Sequence, residues 1–181
     1  MSEAQLESTE HGLAPAGRGW FVVSARDAIW IERPGRGAYC EFEGLEDRAD
    51  FSKLGVNLQM LGPGEPMAMY HYENDQEDFL VVAGQALLIA EGRERPLARW
   101  DFVHCPAGTS HVIIGAGDAP CLILAIGARD RSTGPDWGAY TVDPAAIRHG
   151  AGVDAETTDT DTAYARFPKR RPTRYRKDWI P

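Results

Sequence analysis

Short apolar runs, broken at close intervals by glycine and proline, constrain this chain more than any other feature. Runs of about four to seven residues stand at Trp20 to Ser24, Ile29 to Glu32, Ala38 to Phe42, Val56 to Leu61, Met67 to Glu73, Phe79 to Ala83, Ala86 to Ala90, Asp101 to His104, His111 to Ile114 and Leu122 to Ile126. Between them lie Pro34-Gly35, Gly62-Pro63-Gly64, Gly84, Glu91-Gly92, Pro106-Ala107-Gly108 and the stretch from Gly115 to Pro120. Strands of this length at intervals of about 8 to 12 residues predict an all-β sandwich or barrel. The exception is Pro144 to His149, a short helix with Asp143 as N-cap and Gly150 at its end.

Four side chains among these runs carry chemistry: His71, Glu73, Glu77 and His111. His71 and Glu73 sit two apart, so on an extended strand both point to one face, with Cα atoms roughly 6.6 Å apart. Asn74-Asp75 has the composition of a tight turn, and a hairpin there would bring Glu77 back across from His71 and Glu73. The turn Pro106-Ala107-Gly108 then feeds a strand that opens on His111. No Arg or Lys lies between Lys53 and Arg93 to offset the carboxylates locally. Buried, unpaired carboxylates are unfavourable, and a divalent metal is the simpler solution. If His71 and Glu73 face inward, parity turns Met67 and Met69 inward with them. Asn57 and Gln59 share one face of the preceding strand, so all four are candidate pocket lining. Phe79, Val81 and Trp100 read as packing, and His104 as a hydrogen-bonded structural imidazole.

The stretch Gly64 to Gly84 resembles the first cupin motif, G-x5-H-x-H-x(3,4)-E-x6-G, and Pro106 to His111 resembles the P-x-G-x2-H centre of the second. Glu73 stands where that family has its second histidine, and six residues rather than five separate Gly64 from His71. Trp100 and Gly115 occupy the positions of the second motif's opening Gly and closing Asn. The resemblance covers roughly residues 50 to 128. It implies a small single-domain cupin: a jelly-roll barrel, or double-stranded β-helix, with its site inside, and commonly a homodimer. It does not imply one reaction. On this reading residues 18–130 form the barrel with its N-terminal strands. Residues 1–17 form a disordered tail, and residues 131–181 an extension holding the short helix and a charged segment.

Length and composition agree with one domain plus extensions at 181 residues. No apolar run approaches the roughly 18 residues a membrane span needs, and the acidic start Met1 to Glu7 is unlike a secretory leader, so a cytoplasmic protein is expected. Cys40, Cys105 and Cys121 lie far apart and read as small buried apolar residues in a reducing compartment. The net charge of −8 is uneven: residues 154–161 are acidic and residues 166–177 basic, with Tyr164, Phe167, Tyr175 and Trp179 interleaved. Such mixing fits a nucleic-acid-binding segment or a strap packed on the barrel or a partner subunit. The acidity of the rest of the chain favours the strap and argues against nucleic acid.

Two imidazoles with carboxylate oxygens suit Fe, Mn, Ni or Zn, with His71, Glu73, Glu77 and His111 as the candidate ligands; if both glutamates bind, the 2+ charge is cancelled and Lewis acidity falls. His71, one Glu and His111 would make the two-histidine, one-carboxylate face used by non-haem iron oxygenases, and this ranks first as an expected activity. Glu73 as a general base beside a metal held by His71, Glu77 and His111 would suit an isomerase, epimerase or lyase, and ranks close behind. A small-molecule binding module without turnover is the third reading. The segment from Arg129 to Pro144 is a candidate lid or dimer-seam cover.

Overall fold

The computed structural model describes residues 2–45, 51–130 and 134–179. Its strands are β1 (Gln5–Thr9), β2 (Gly12–Ala16), β3 (Ile29–Glu32), β4 (Ala38–Glu41), β5 (Leu54–Leu61), β6 (His71–Glu73), β7 (Glu77–Ala83), β8 (Gln85–Ala90), β9 (Arg93–Ala98), β10 (Phe102–Cys105), β11 (His111–Ala116), β12 (Cys121–Ala128), β13 (Gly138–Tyr140) and β14 (Arg171–Thr173). Two short helices, α1 (Pro144–Arg148) and α2 (Thr160–Ala163), complete the described elements. No helix among these residues is long and apolar enough to cross a membrane.

The strands form two facing antiparallel sheets. One runs β10-β7-β12-β5-β4-β3-β14 and the other β13-β6-β11-β8-β9, with β1-β2 as a separate hairpin. The chain passes repeatedly from sheet to sheet, and the result is a double-stranded β-helix. Alternation decides what lies between the sheets. On β7 the odd positions Phe79 and Val81 are buried, and on β11 and β12 Ile113, Ile123 and Ala125 join them in one apolar cluster. Glu77 and His111 sit on the same inward rows as Phe79, Val81 and Ile113. The inner face is therefore apolar along most of the barrel and ionisable where β7 and β11 begin. Val112 and Ile114, of the opposite parity, pack outward on Ala145 and Ala146 of α1. That helix is capped by Asp143, whose Oδ1 accepts from the Ala146 N–H at 2.8 Å.

Three expectations are corrected. Residues 5–16, read as a disordered tail for want of large apolar side chains, form the β1-β2 hairpin. Small residues suffice there: Ala14 is fully buried against Ile29 and Ile31, and the turn is tied by Thr9 Oγ1 donating to the Gly12 carbonyl at 2.8 Å. Trp20 to Ser24 is not a strand. Trp20 alone makes a bridge, to Glu3, and Trp20 and Val22 are 53% and 76% exposed. The run from Met67 is a regular strand only from His71 to Glu73, because residues 67–70 bend between two pairings with the same strand, Pro66 with Ile114 and His71 with His111: the Met67 N–H donates to the Ile113 carbonyl and the Tyr70 N–H to that of Ala151.

The basic, aromatic C-terminal segment packs on the chain's own sheet. β14 pairs with β3, Trp179 and Tyr175 pack at a tilt against the buried Trp30 at 5.0 and 6.3 Å between ring centroids, and Arg171 and Arg176 both reach Glu32.

Candidate metal centre

His71 and His111 face each other directly across the β6-β11 ladder, so their side chains project to one side with ring centroids 5.1 Å apart. Glu77 reaches them from the opposite sheet, as the first residue of β7. The expected hairpin at Asn74-Asp75 is not formed. Both edges of β6 are already taken, by β11 and β13, and Asn74 instead binds the loop before β13 through its N–H to Trp137 and its amide to Asp136. The turn is a crossing between sheets. That crossing is what sets a carboxylate over two imidazoles instead of beside them.

Glu77 Oε2 lies 3.4 Å from His111 Nε2 and 3.7 Å from His71 Nε2. Ligand atoms of these three residues all fall within 4.8 Å of one another. Atoms sharing an ion at about 2.1 Å are separated by roughly 3 to 3.4 Å, so the cluster has the dimensions of a divalent site. Two further observations fit a cation. Each imidazole donates from Nδ1 to a backbone carbonyl, His71 to Met69 at 2.8 Å and His111 to Thr109 at 2.9 Å, which directs the Nε2 lone pair inward. Glu77 Oε2 and His111 Nε2 are also buried without a hydrogen-bond partner among the described residues. A buried polar atom left so is costly unless a ligand meets it.

The electrostatics agree. Burial, with the neighbouring His111, drives His71 down to about 3, and burial lowers His111 as well. Both imidazoles are thus neutral, as a metal requires. Burial and the Glu73 charge push Glu77 up to about 8, a measure of how strongly the site resists an uncompensated anion.

Glu73 stands apart from the cluster of three. Its Oε1 is 3.8 Å from His71 Nε2, but it lies outside the set of ligand atoms that share one point. It lines the same cavity, of about 500 Å³, and burial with the nearby Asp75 charge raises its carboxyl to about 7. Asn57, Gln59 and Met67 line this cavity too, with the Gln59 amide donating to Asn57 Oδ1 at 2.6 Å. Met69 does not. The bend at residues 67–70 breaks the two-residue alternation and turns its side chain away into a cluster with Tyr140, Val153 and Ala163.

Other walls were invisible in the local sequence. Trp137, just before β13, and Tyr140, its last residue, close one side, with rings 6.3 and 5.9 Å from that of His71. The described part of the segment read as a lid is therefore held to the barrel by the β13-β6 ladder; residues 131–133 lie outside the described residues. Arg129 enters from the end of β12, and its guanidinium donates to Glu43 at 2.9 Å. Tyr164 arrives from the end of α2. His104 is paired with Asp78 at 2.6 Å on the outer face of β7, away from the cluster. Trp100, expected to pack, is 60% exposed at φ +78, a conformation glycine adopts without strain. Cys40, Cys105 and Cys121 are buried free thiols, raised by burial to about 12, 12 and 11, and chemically quiet.

Comparison with known proteins is consistent with this geometry. A family model described as the cupin domain matches residues 57–127, the stretch holding β5 to β12 and all four ionisable residues. The chain carries a cupin domain. Among solved structures it is similar to a sugar phosphate isomerase of the cupin superfamily from Silicibacter pomeroyi, with 30% identity over 58% of this chain and 62% of that one and a TM-score of 0.44. It is similar also to a protein provisionally named a sugar phosphate isomerase from Acidithiobacillus ferrooxidans, with 28% identity over 53% and 62% and a TM-score of 0.46. A third is an RmlC-like cupin with a double-stranded β-helix fold from Methanocaldococcus jannaschii, with 18% identity over 44% and 73% and a TM-score of 0.41. The chain spans 62% of the length of each of the first two. No curated protein matches the chain.

Proposed function

We propose that this protein is a metal-dependent enzyme that shifts a proton on a small polar molecule, an isomerase, epimerase or lyase, with Glu73 as the base. The observation that carries the reading is the division of labour between two carboxylates. Glu77 belongs to the cluster with His71 and His111, whereas Glu73 opens onto the same cavity from outside it. A divalent ion held by His71, Glu77 and His111 would supply Lewis acidity toward a carbonyl or hydroxyl oxygen. Glu73 would take the proton from the adjacent carbon through a carboxylate oxygen. Its carboxyl, raised to about 7, is matched to accepting and returning a proton near neutral pH. Asn57 and Gln59 would orient hydroxyl groups, and Trp137 and Tyr140 would keep water from the reacting face.

A second reading has its own observation. Two imidazoles and one carboxylate are also the ligand set of non-haem iron oxygenases, and it was this set that the residue types alone placed first. The two are separated by following deuterium exchange from solvent, by NMR, into a panel of aldoses, ketoses and keto acids with metal-loaded protein. The same panel is tested for oxygen uptake with Fe(II). The proposal expects exchange that falls by about 100-fold or more in Glu73→Gln while metal content is kept. Oxygen uptake without exchange would replace it by the oxygenase. Ligand-induced thermal stabilisation with neither would make the protein a binding module.

A further inference from the structure

A second cavity, of about 340 Å³, adjoins the first and shares Gln59, Met67 and Tyr164 with it. Its lining includes three arginines, Arg33, Arg36 and Arg170. They come from the β3-β4 turn and from just before β14, and converge only in the fold. In a chain of net charge −8 such convergence is unexpected, and the company these guanidiniums keep is more so. Arg129, Arg148, Arg171 and Arg176 each hold a carboxylate. Arg33, Arg36 and Arg170 form no ion pair with any described residue. Arg36 donates to the Met67 carbonyl, Arg170 to the Tyr39 hydroxyl at 3.2 Å, and Arg33 and Arg36 lie 4.8 and 4.2 Å from the centre of the Tyr164 ring. Arg33 Nη1 and Arg36 Nε are buried with no hydrogen-bond partner among the described residues. Arg33 and Arg36 are half-buried, whereas Arg170 and the single carboxylate in the lining, Asp161, are exposed at its rim.

Like charges gathered in a half-buried space repel, and unpartnered guanidinium N–H groups cost free energy; both are repaid by a multivalent anion. We infer that the Arg33-Arg36-Arg170 cavity binds a phosphate group, and that it seats the phosphate of a phosphorylated substrate whose other end reaches the cavity of Glu73 and the metal cluster. Three forked cations suit a tetrahedral dianion with several acceptor oxygens better than a flat monoanionic carboxylate. Gln59, shared by both cavities, lies where such a molecule passes from one to the other. Binding of phosphate by the arginines stands independently of the proposed activity, whereas its role in holding substrate rests on that reading.

The test is calorimetric titration of metal-stripped protein, in which the cluster has no ion to attract phosphate. Inorganic phosphate is the first probe, followed by glycerol 2-phosphate, glycerol and acetate. Saturable binding of both phosphates, with none of glycerol or acetate, is expected. Arg33→Gln and Arg170→Gln should each weaken it about tenfold, and His111→Ala should leave it unchanged. Arg36 also packs on Tyr164, so Arg36→Lys is used to keep the charge while losing the fork, with the melting temperature checking the fold. No phosphate binding, acetate binding as tight, or equal affinity in the arginine variants would overturn the inference. Binding of inorganic phosphate but not glycerol 2-phosphate would overturn its substrate role. Metal titrations of the same variants should match wild type, so loss of the anion site and loss of the metal reading are told apart.

Discussion

His71 and His111 each spend Nδ1 on a backbone carbonyl, so their Nε2 atoms are aimed before any ion arrives, and what the cluster lacks is charge. This has a consequence for stability. In metal-free protein Glu73 and Glu77 titrate at about 7 and 8, against an ordinary 4.5. Between those values the folded state holds more protons than the unfolded one, so stability is lost as pH rises. His71 acts oppositely: lowered from 6.5 to about 3, it makes stability rise with pH over that range. Above pH 6.5 only the carboxyls contribute. Urea unfolding of metal-free protein should therefore show falling stability from pH 6.5 to 8, and saturating Zn(II) or Mn(II) should reduce the slope by displacing the proton of Glu77. At this scale much was legible. The spacing of His71, Glu77 and His111 was enough to single them out. What spacing left open was whether Glu73 joins the ligands, because that depends on the sheet to which each carboxylate belongs.

At the scale of elements, the site depends on chain crossings held by glycine and by edge pairing. Gly84, between β7 and β8, has φ +76, and a Cβ there would come within 2.7 Å of Cys121 Cα and of the Pro120 carbonyl oxygen. Gly84→Ala should cost about 3 kcal/mol, through the left-handed conformation and the backbone clash together, read from chemical denaturation. Strand identity was readable where apolar runs were long, as in β5, β7, β11 and β12. It failed where geometry departs from regular alternation. Counting in twos through a bend places Met69 in the pocket, and the composition of Asn74-Asp75 predicts a hairpin although β6 has no free edge. β9 and β13 lack the apolar pattern altogether: Arg93–Ala98 is mostly exposed, and Gly138–Tyr140 is defined by its partner β6.

Across the whole molecule, the C-terminal segment supplies contacts no local reading could locate. Trp30 is fully buried, and two of the rings that pack on it, Tyr175 and Trp179, come from about 145 and 149 positions further on. Trp179→Ala should lower stability by about 2 kcal/mol, below the cost of a wholly buried tryptophan because this one is half-exposed; a melting curve checks it. The same long-range convergence places Tyr164 beside both Arg36 and the first cavity, and it explains why the barrel and the His71-Glu77-His111 cluster were legible in the sequence but the second pocket was not. The account's central claim is that His71, Glu77 and His111 grip a divalent ion while Glu73 does not. The most direct test is titration of chelator-treated protein with Mn(II) and Zn(II), comparing wild type, Glu77→Gln, His111→Ala and Glu73→Gln. A single ion should bind per chain, with affinity reduced at least about 100-fold in Glu77→Gln and His111→Ala and nearly unchanged in Glu73→Gln. No binding by wild type, or equal loss in Glu73→Gln and Glu77→Gln, would contradict it.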